Sequence, residues 1–176
     1  GHHRYGTALM YRDWVRAQNG GTLPDGHPAN FVMFVLASMD DPGCLILPYY
    51  RTLGGITLNA LLAAWSEGVR SLENISQADL VLYDGKTGRE VGVAFTRRDV
   101  LERLAPDECP AWRKLDYAYL HRYLIEELPG KTTPSPTVHY LKSRDAALQA
   151  AGDEFGVALL VKATPMAHLR AVAEAG

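Results

Sequence analysis

Residues 80–96, which read LVLYDGKTGREVGVAFT, contain the clearest local structure signal in the chain. Residues 80–83 and 90–96 are rich in β-branched and apolar side chains, and the loop between them, residues 84–89, contains two glycines. Two such runs joined by a glycine-containing loop are typical of a β-hairpin. We therefore expect residues 80–96 to form an antiparallel pair of strands.

Within that loop, Gly85-Lys86-Thr87 is similar to the end of the P-loop motif of nucleotide-binding proteins. The motif requires another glycine five positions before Gly85, where this chain has Leu80, and a helix after the lysine. Since a strand is expected at that point, the sequence argues against a P-loop here.

A second hairpin is predicted from residues 30–39 and 44–50. Residues 30–39 form a nearly continuous apolar and β-branched run, as in a strand that is buried on both faces. Asp40-Asp41-Pro42-Gly43 has the composition of a turn, and the residues after it are again apolar. We expect the two runs to pair as antiparallel strands.

Helices and strands alternate irregularly along the rest of the chain. The apolar periodicity predicts helices at residues 4–18, 58–66, 98–104, 111–128, 145–151 and 165–174, and short strands at 69–75, 138–141 and 156–161. Thr57 is the expected N-cap of the second helix. The class is therefore α+β: a single domain, residues 1–176, whose mixed or antiparallel sheet contains two hairpins and is covered by helices.

The composition is that of a soluble domain. The chain has 176 residues, of which 47% are hydrophobic and 22% charged, and its net charge is −2. This near-neutral charge does not support a protein that binds DNA mainly through phosphate contacts. Cys44 and Cys109 are far apart in the sequence and we interpret them as reduced structural thiols of a cytoplasmic protein. No apolar run is long enough to cross a membrane, so no membrane partner is expected.

The start of the chain, Gly1-His2-His3-Arg4-Tyr5, concentrates the residue types of an anion site. A glycine allows close approach of the backbone, the first turn of a helix leaves N–H groups unpaired, and an arginine binds phosphate with two parallel hydrogen bonds. A Gly-His-His start is also similar to a purification-tag remnant, but the helical sequence follows without a linker, which favours native sequence. Because Gly1 is not a natural start, we expect the chain to be the C-terminal portion of a longer protein.

Residues 1–12 resemble the most recognisable segment of a large bacterial and archaeal family, domain of unknown function 1015, whose members are sometimes labelled ParB-like. In that family an aspartate precedes the same Gly-His-His-Arg-Tyr run, and a helix with Thr-Ala-Leu and Tyr-Arg follows it. Further similar stretches occur in the same order: Met39-Asp40-Asp41-Pro42-Gly43, Ile46-Leu47-Pro48 with Arg51, Leu115-Asp116, and Leu120-His121. The chain departs from the family at Gly6, where a glutamate is usual, and it lacks the family's N-terminal half and Lys-Ser-Thr-rich C-terminal motif.

The opening motif is also similar to the phosphate-binding element of the ParB/sulfiredoxin superfamily, whose members bind nucleotides and include kinases of small hydroxy compounds. By this resemblance the phosphate-binding residues would be Gly1, His3, Arg4 and Thr7. Arg4 would be the bidentate ligand, and His2 either the catalytic acid or base or a further phosphate contact. ATP or another nucleotide with Mg²⁺ would be the cofactor, and the missing N-terminal half would complete the site. Sulfiredoxins have a reactive cysteine at the position of His2, so their redox chemistry is not expected.

Several other polar residues have both a structural and a functional interpretation. Asp40 and Asp41 are weak candidates for holding Mg²⁺ next to a phosphate, since turn formation alone explains them. Arg51, placed directly after a predicted strand, either reaches a ligand or solvates the end of that strand. His2 and His3 are adjacent, so their side chains are expected to diverge and not to form a metal site by themselves. Surface or hydrogen-bonded core positions are expected for the isolated histidines, His27, His121, His139 and His168.

Three hypotheses on function remain open. The first is a protein that binds a nucleotide or a small phosphorylated ligand, including a phosphotransferase. The second is a non-catalytic, ParB-like regulatory or DNA-associated module, for which clustered basic residues would be expected. The third is a structural domain or a homodimerisation domain that supports the missing half and needs only exposed apolar surface.

Overall fold

The computed structural model describes residues 1–154 and 156–175. These residues form two compact units, Gly1–Asp41 and the chain from Pro42 onward. None of the helices in the described residues is both long enough and apolar enough to span a membrane.

The first unit consists of helix α1 (His2–Gln18), a 3₁₀ turn (Pro28–Asn30) and connecting loops. Helix α1 confirms the helix predicted at residues 4–18. It ends where Gly20 and Gly21 adopt φ angles of 71° and 90°, a conformation that favours glycine and stops a helix.

The hairpin predicted from residues 30–39 and 44–50 is wrong. Residues 31–38 form no strand, and their apolar side chains are exposed, with Met33 90% and Leu36 91% accessible. The first strand begins only at Tyr50, and it pairs with two later strands. A run with high β-propensity forms a strand only where a neighbouring strand and a core surface are available, and local sequence does not contain that information.

The second unit is built on a six-stranded antiparallel sheet. Its strands are β1 (Tyr50–Gly54), β2 (Val69–Leu72), β3 (Leu80–Asp84), β4 (Glu90–Phe95), β5 (Thr137–Leu141) and β6 (Val157–Val161). The strand order is β2-β4-β3-β6-β1-β5, and each neighbouring pair is antiparallel. The α+β class with an antiparallel sheet is therefore confirmed.

The hairpin predicted for residues 80–96 is confirmed by β3 and β4. The Asp84 side chain closes its loop by accepting hydrogen bonds from the backbone N–H of Lys86 at 3.0 Å and from the Thr87 hydroxyl at 2.7 Å. A strand follows this loop, so the loop is not a P-loop.

Helices pack on both faces of the sheet. They are α2 (Leu58–Ala64), α3 (Val100–Leu104), α4 (Pro110–Arg113), α5 (Asp116–Tyr119), α6 (Arg144–Asp153) and α7 (Met166–Ala175), with 3₁₀ turns at Ile75–Gln77 and Leu128–Gly130. Thr57 caps α2 as predicted, since its hydroxyl oxygen accepts a hydrogen bond from the backbone N–H of Ala60 at 3.3 Å.

The single helix predicted at residues 111–128 is wrong, because the segment is interrupted. Leu115 has an extended backbone, with φ −69° and ψ 132°, and it separates α4 from α5. After α5 the chain continues as a π-helical turn, Leu120–Ile125. Turns of this kind are rare and occur frequently at functional sites.

Two hydrophobic clusters lie on the two faces of the sheet. The larger contains Leu53, Leu82 and Leu159, each 0% exposed, together with residues of α2, α5 and the π-helical turn. The smaller contains Ala158 of β6 and packs on α6. Side chains alternate between faces along a strand, so Arg51 projects to the same face as Leu53. A charged side chain therefore occupies a core position of β1.

Candidate functional site

The phosphate-binding residues predicted from the sequence lie together at the start of α1. Gly1 is the N-cap and provides no side-chain bond to the first-turn N–H groups, and His2, His3 and Arg4 are exposed. The Thr7 hydroxyl donates a hydrogen bond to the carbonyl oxygen of His3 at 2.9 Å. The rings of His2 and His3 do not diverge as expected; their centroids lie 4.0 Å apart. The motif is thus an exposed helix N-terminus with imidazole and guanidinium groups around it.

The metal candidates Asp40 and Asp41 lie in a turn, as their composition predicts. The backbone N–H of Asp40 donates to the hydroxyl oxygen of Ser38, and that of Asp41 donates to the Ser38 carbonyl oxygen, both at 3.1 Å. Within residues 1–154 and 156–175, no group of three or more His, Cys, Asp or Glu side chains is placed to hold a metal ion.

A cavity of about 310 Å³ opens in the second unit at one end of the sheet. It lies where β1 and β3 begin and where β4 and β6 end, since antiparallel neighbours place these termini at the same edge. Its walls are largely apolar and include Leu47, Leu80, Phe95, Leu115, Leu120 and Val161. Four charged side chains and one histidine also line it: Arg51, Asp79, Asp116, Lys162 and His168.

Arg51 is the fully buried charged residue of this cavity, with 0% of its surface exposed. Its Nε donates a hydrogen bond to Nε2 of His121 at 2.9 Å, and its Nη1 donates to the carbonyl oxygen of Tyr49. Its Nη2 is buried and has no hydrogen-bond partner. Among the salt bridges of the described residues none includes Arg51, so no carboxylate lies within 4.0 Å of its charge. Arg51 is therefore a buried cation without an anion.

Aromatic rings flank the guanidinium. The Arg51 Cζ atom lies 4.6 Å from the ring centroid of Tyr117 and 5.6 Å from that of Tyr140, which faces Arg51 across the β1–β5 ladder. His121 stacks on Tyr117, with centroids 4.6 Å apart, and lies parallel to Tyr140 at 6.0 Å. Because the face of an aromatic ring attracts a cation, these rings help to hold the guanidinium in position.

His121 is neutral at pH 7. Burial, together with the positive charge of Arg51, lowers the pKa of His121 from 6.5 to about 4, against a smaller opposite effect of Glu126. A neutral imidazole accepts a hydrogen bond at Nε2 when its proton is on Nδ1. Burial also lowers the pKa of Arg51, but an arginine side chain stays protonated in proteins. The charge of Arg51 is thus held by a neutral acceptor and is not compensated by it.

The two carboxylates at the cavity are directed to a different arginine. Oδ1 of Asp116 lies 2.7 Å and Oδ1 of Asp79 3.4 Å from Nη2 of Arg98. Oδ2 of Asp79 also accepts a hydrogen bond from the backbone N–H of Phe95 at 2.8 Å. Arg98 does not line the cavity, but it pairs with both of these carboxylates. Counted with the lining residues Arg51 and Lys162 and the two carboxylates, it leaves one net positive charge.

Helix α7 also begins at the cavity. Thr164 and Pro165 line the wall of the cavity and directly precede Met166, the first residue of α7. The N-terminus of a helix has unpaired N–H groups and a partial positive charge. His168, in the first turn of α7, lines the cavity as well. Helix α7 therefore adds positive potential to that of Arg51.

The position of Arg51 excludes one of its two interpretations. It lies inside β1 and is fully buried, so the alternative that it solvates the end of a strand is wrong. The sequence contains one signal that Arg51 is buried: it lies two positions before Leu53, and residues two apart in a strand lie on the same face of the sheet. His121 is the partly buried acceptor of its Nε, which agrees with a hydrogen-bonded core position.

Three of the five stretches that resemble the family, those at residues 46–51, 115–116 and 120–121, meet at this cavity. Its walls include Leu47-Pro48, Arg51, Leu115-Asp116 and Leu120, and His121 bonds to Arg51 from the same side. These stretches are far apart in the sequence, so sequence reasoning does not assemble them into one site.

A family model described as "Protein of unknown function (DUF1015)" matches residues 1–118 of the chain. The matched residues include the opening motif, the strands β1 to β4, and Arg51, Leu115 and Asp116 of the cavity. Neither the curated proteins nor the solved structures give a match.

Proposed function

This chain belongs to the DUF1015 family of proteins of unknown function, and we propose that it binds a small phosphate-bearing molecule in the cavity around Arg51. The observation that supports the proposal is a buried guanidinium without an anionic partner. Removing a cation from water costs on the order of several kcal/mol, and a bound anion would offset that cost. If this core position had only a structural role, an apolar side chain would stabilise the fold better than an arginine.

Three further features favour a phosphate group as the anion. Nη2 of Arg51 is available to donate a charge-assisted hydrogen bond. Lys162 and His168 line the same cavity and add a cation and an imidazole donor. The start of α7 supplies a helix N-terminus, which is a frequent binding site for phosphate groups.

The proposal concerns binding and not phosphoryl transfer at this cavity. In kinases a carboxylate that is free to accept the proton of the nucleophile orients the acceptor group. Asp79 and Asp116 line the cavity, but both pair with Arg98. Their position is best explained by a role in fixing the wall.

Isothermal titration tests the proposal, with inorganic phosphate, phenyl phosphate, ADP and ATP with Mg²⁺ as the titrants. Arg51→Met removes the charge and keeps a long apolar side chain, and Arg103→Gln on an exposed position of α3 is the matched control. At least one phosphate compound is expected to bind the parent and the control, and to bind Arg51→Met about tenfold to hundredfold more weakly. Equal affinity of the parent and Arg51→Met, or no binding to the parent, would overturn the proposal.

A second candidate function is nucleotide binding at the start of α1, with His2 as acid or base if phosphoryl transfer occurs there. It is supported by the uncapped N–H groups next to Gly1 and by the exposed side chains of His3 and Arg4. In this case Arg4→Ala abolishes ATP binding and Arg51→Met leaves it unchanged. ATP binding that does not depend on Arg4 would contradict this candidate, and a protein that binds none of the four titrants would favour a structural or dimerisation role.

A further inference from the structure

We propose that the ligand of the Arg51 cavity is a small organic molecule with one terminal anionic group and a compact apolar or aromatic body, and that the cavity does not accept nucleoside polyphosphates. This inference rests on the anion binding proposed above and narrows it to a class of ligand. The walls, the free donor and the net charge of the cavity lead independently to the same class.

The walls require an apolar body. Leu47, Leu115, Leu120 and Val161 present aliphatic surface to the cavity, and Phe95 adds an aromatic ring. An inorganic anion would leave this surface in contact with water, whereas an organic body removes it from water, which is favourable. The volume of about 310 Å³ is at the lower end of the range of roughly 300–1,000 Å³ that is usual for ligand sites, so the body is small.

The donors of Arg51 allow one terminal oxygen to be held. Nε already donates to His121 and Nη1 to the carbonyl of Tyr49, and each guanidinium fork of two parallel N–H groups combines Nη2 with one of these two nitrogens. Nη2 is the nitrogen without a partner. The anionic group therefore approaches Nη2 end-on, as a terminal group does, and the body points away from the guanidinium.

The charges at the cavity balance one anionic group. With Arg98 included, the three cations and two carboxylates leave one net positive charge, which is nearer to the charge of one terminal carboxylate or phosphate group than to that of a triphosphate. A triphosphate would bring several negative charges close to Asp79 and Asp116, and like charges that meet across an interface are unfavourable. The same two carboxylates thus act against polyphosphates.

The experiment compares probes that differ in one part of the ligand at a time. Phenyl phosphate and benzoate have the body and the anion, benzyl alcohol has the body alone, and inorganic phosphate and acetate have the anion alone. ATP with Mg²⁺ represents the polyphosphates. Dissociation constants are measured with the whole chain by titration calorimetry, or by ligand-observed NMR for weak probes.

Phenyl phosphate or benzoate is expected to bind about tenfold or more tightly than either of its two halves, and ATP is expected not to compete. The comparison of phenyl phosphate with benzoate tests the phosphate head group of the proposed function, because tighter binding of benzoate would contradict it. Arg51→Met is expected to abolish the preference for these probes over benzyl alcohol. Val161→Thr keeps the shape of the wall but adds a hydroxyl. It is expected to weaken the binding of phenyl phosphate and to leave the affinity for inorganic phosphate unchanged.

Two results would overturn the inference, and they are distinguishable. If ATP or inorganic phosphate binds as tightly as phenyl phosphate and this binding is lost in Arg51→Met, the cavity binds anions but the ligand class is wrong. If no probe depends on Arg51 while Arg51→Met and Arg103→Gln both fold, anion binding at the cavity fails as well.

Discussion

Nε of Arg51 donates a hydrogen bond of 2.9 Å to Nε2 of His121, and this bond joins β1 to the π-helical turn across 70 residues of sequence. It turns the guanidinium so that Nε and Nη1 face protein acceptors and Nη2 is left without one. Because His121 is neutral, it orients the cation without neutralising it. Because Arg51 pairs with a neutral histidine and not with a carboxylate, its positive charge at the cavity is not compensated.

Arg51→Met is expected to change the free energy of unfolding by less than about 2 kcal/mol in either direction. The variant loses two hydrogen bonds, but it also removes a buried cation that has no anionic partner. Urea denaturation of the parent and the variant measures the difference. A loss of about 4 kcal/mol or more would show that Arg51 is a structural residue.

His121 is expected to act as a positioning residue for Arg51. His121→Gln retains a side-chain acceptor for Nε, whereas His121→Leu leaves this donor unpaired. His121→Leu should weaken the binding of phenyl phosphate about tenfold and reduce the preference of the protein for phenyl phosphate over benzyl alcohol. His121→Gln should restore most of the affinity and most of this preference. If the two variants bind alike, or if benzyl alcohol weakens to the same extent as phenyl phosphate, His121 supports the wall and does not position the cation.

The stability of the protein should fall as the pH decreases from about 6.5 to about 4 because of His121. The pKa of His121 in the folded protein is about 4, below the unfolded value of 6.5. As the pH falls, the unfolded chain therefore binds a proton at His121 before the folded protein does, and protonation stabilises the unfolded state relative to the folded one. The contribution of neutral His121 to the free energy of unfolding is complete above pH 6.5 and is lost by pH 4. Allowing for solvent screening of a partly exposed group, it is on the order of 2 kcal/mol.

Urea unfolding at several pH values between 4 and 7.5 measures this contribution. His121→Gln is the control, since carboxylates titrate in the same range in both proteins. The difference in unfolding free energy between parent and variant should grow with pH and then level off above pH 6.5. A difference that does not vary with pH would contradict the assignment of a neutral, buried His121.

Local chemistry was sufficient to predict the hairpin at residues 80–96, because its loop and both of its strands are adjacent in the sequence. It was not sufficient for residues 30–39, whose composition is that of a buried strand although the structure leaves Met33 and Leu36 exposed. The helix predicted at residues 111–128 failed for a related reason: the periodicity is continuous, but the extended backbone of Leu115 interrupts it.

The candidate site was harder to predict than the fold. Arg51 has two interpretations in the sequence, and its burial depends on β1 pairing with β5 and β6, which come from the last part of the chain. The partnership with His121 likewise depends on a contact between distant segments. The opening motif, in contrast, is adjacent in sequence, and the phosphate site predicted for Arg4 stays a prediction.

Gly85→Ala is expected to lower the free energy of unfolding by about 1–3 kcal/mol. A Cβ atom at Gly85 would lie 2.0 Å from the carbonyl oxygen of Ala151 in α6, and this backbone atom cannot move without displacing the helix. Gly130→Ala is the matched control, because nothing lies within 4 Å of the position of its Cβ. Thermal or urea unfolding compares the two variants, and equal stability would show that the loop of the β3–β4 hairpin does not pack on α6 this closely.

Calorimetric titration of phenyl phosphate into the parent, Arg51→Met and Arg103→Gln is the measurement to make first. The proposed anion site predicts binding to the parent and to Arg103→Gln with similar affinity, and binding to Arg51→Met that is about tenfold or more weaker while the variant remains folded. Undiminished binding to a folded Arg51→Met would contradict it, since the buried guanidinium would then take no part in holding the anion.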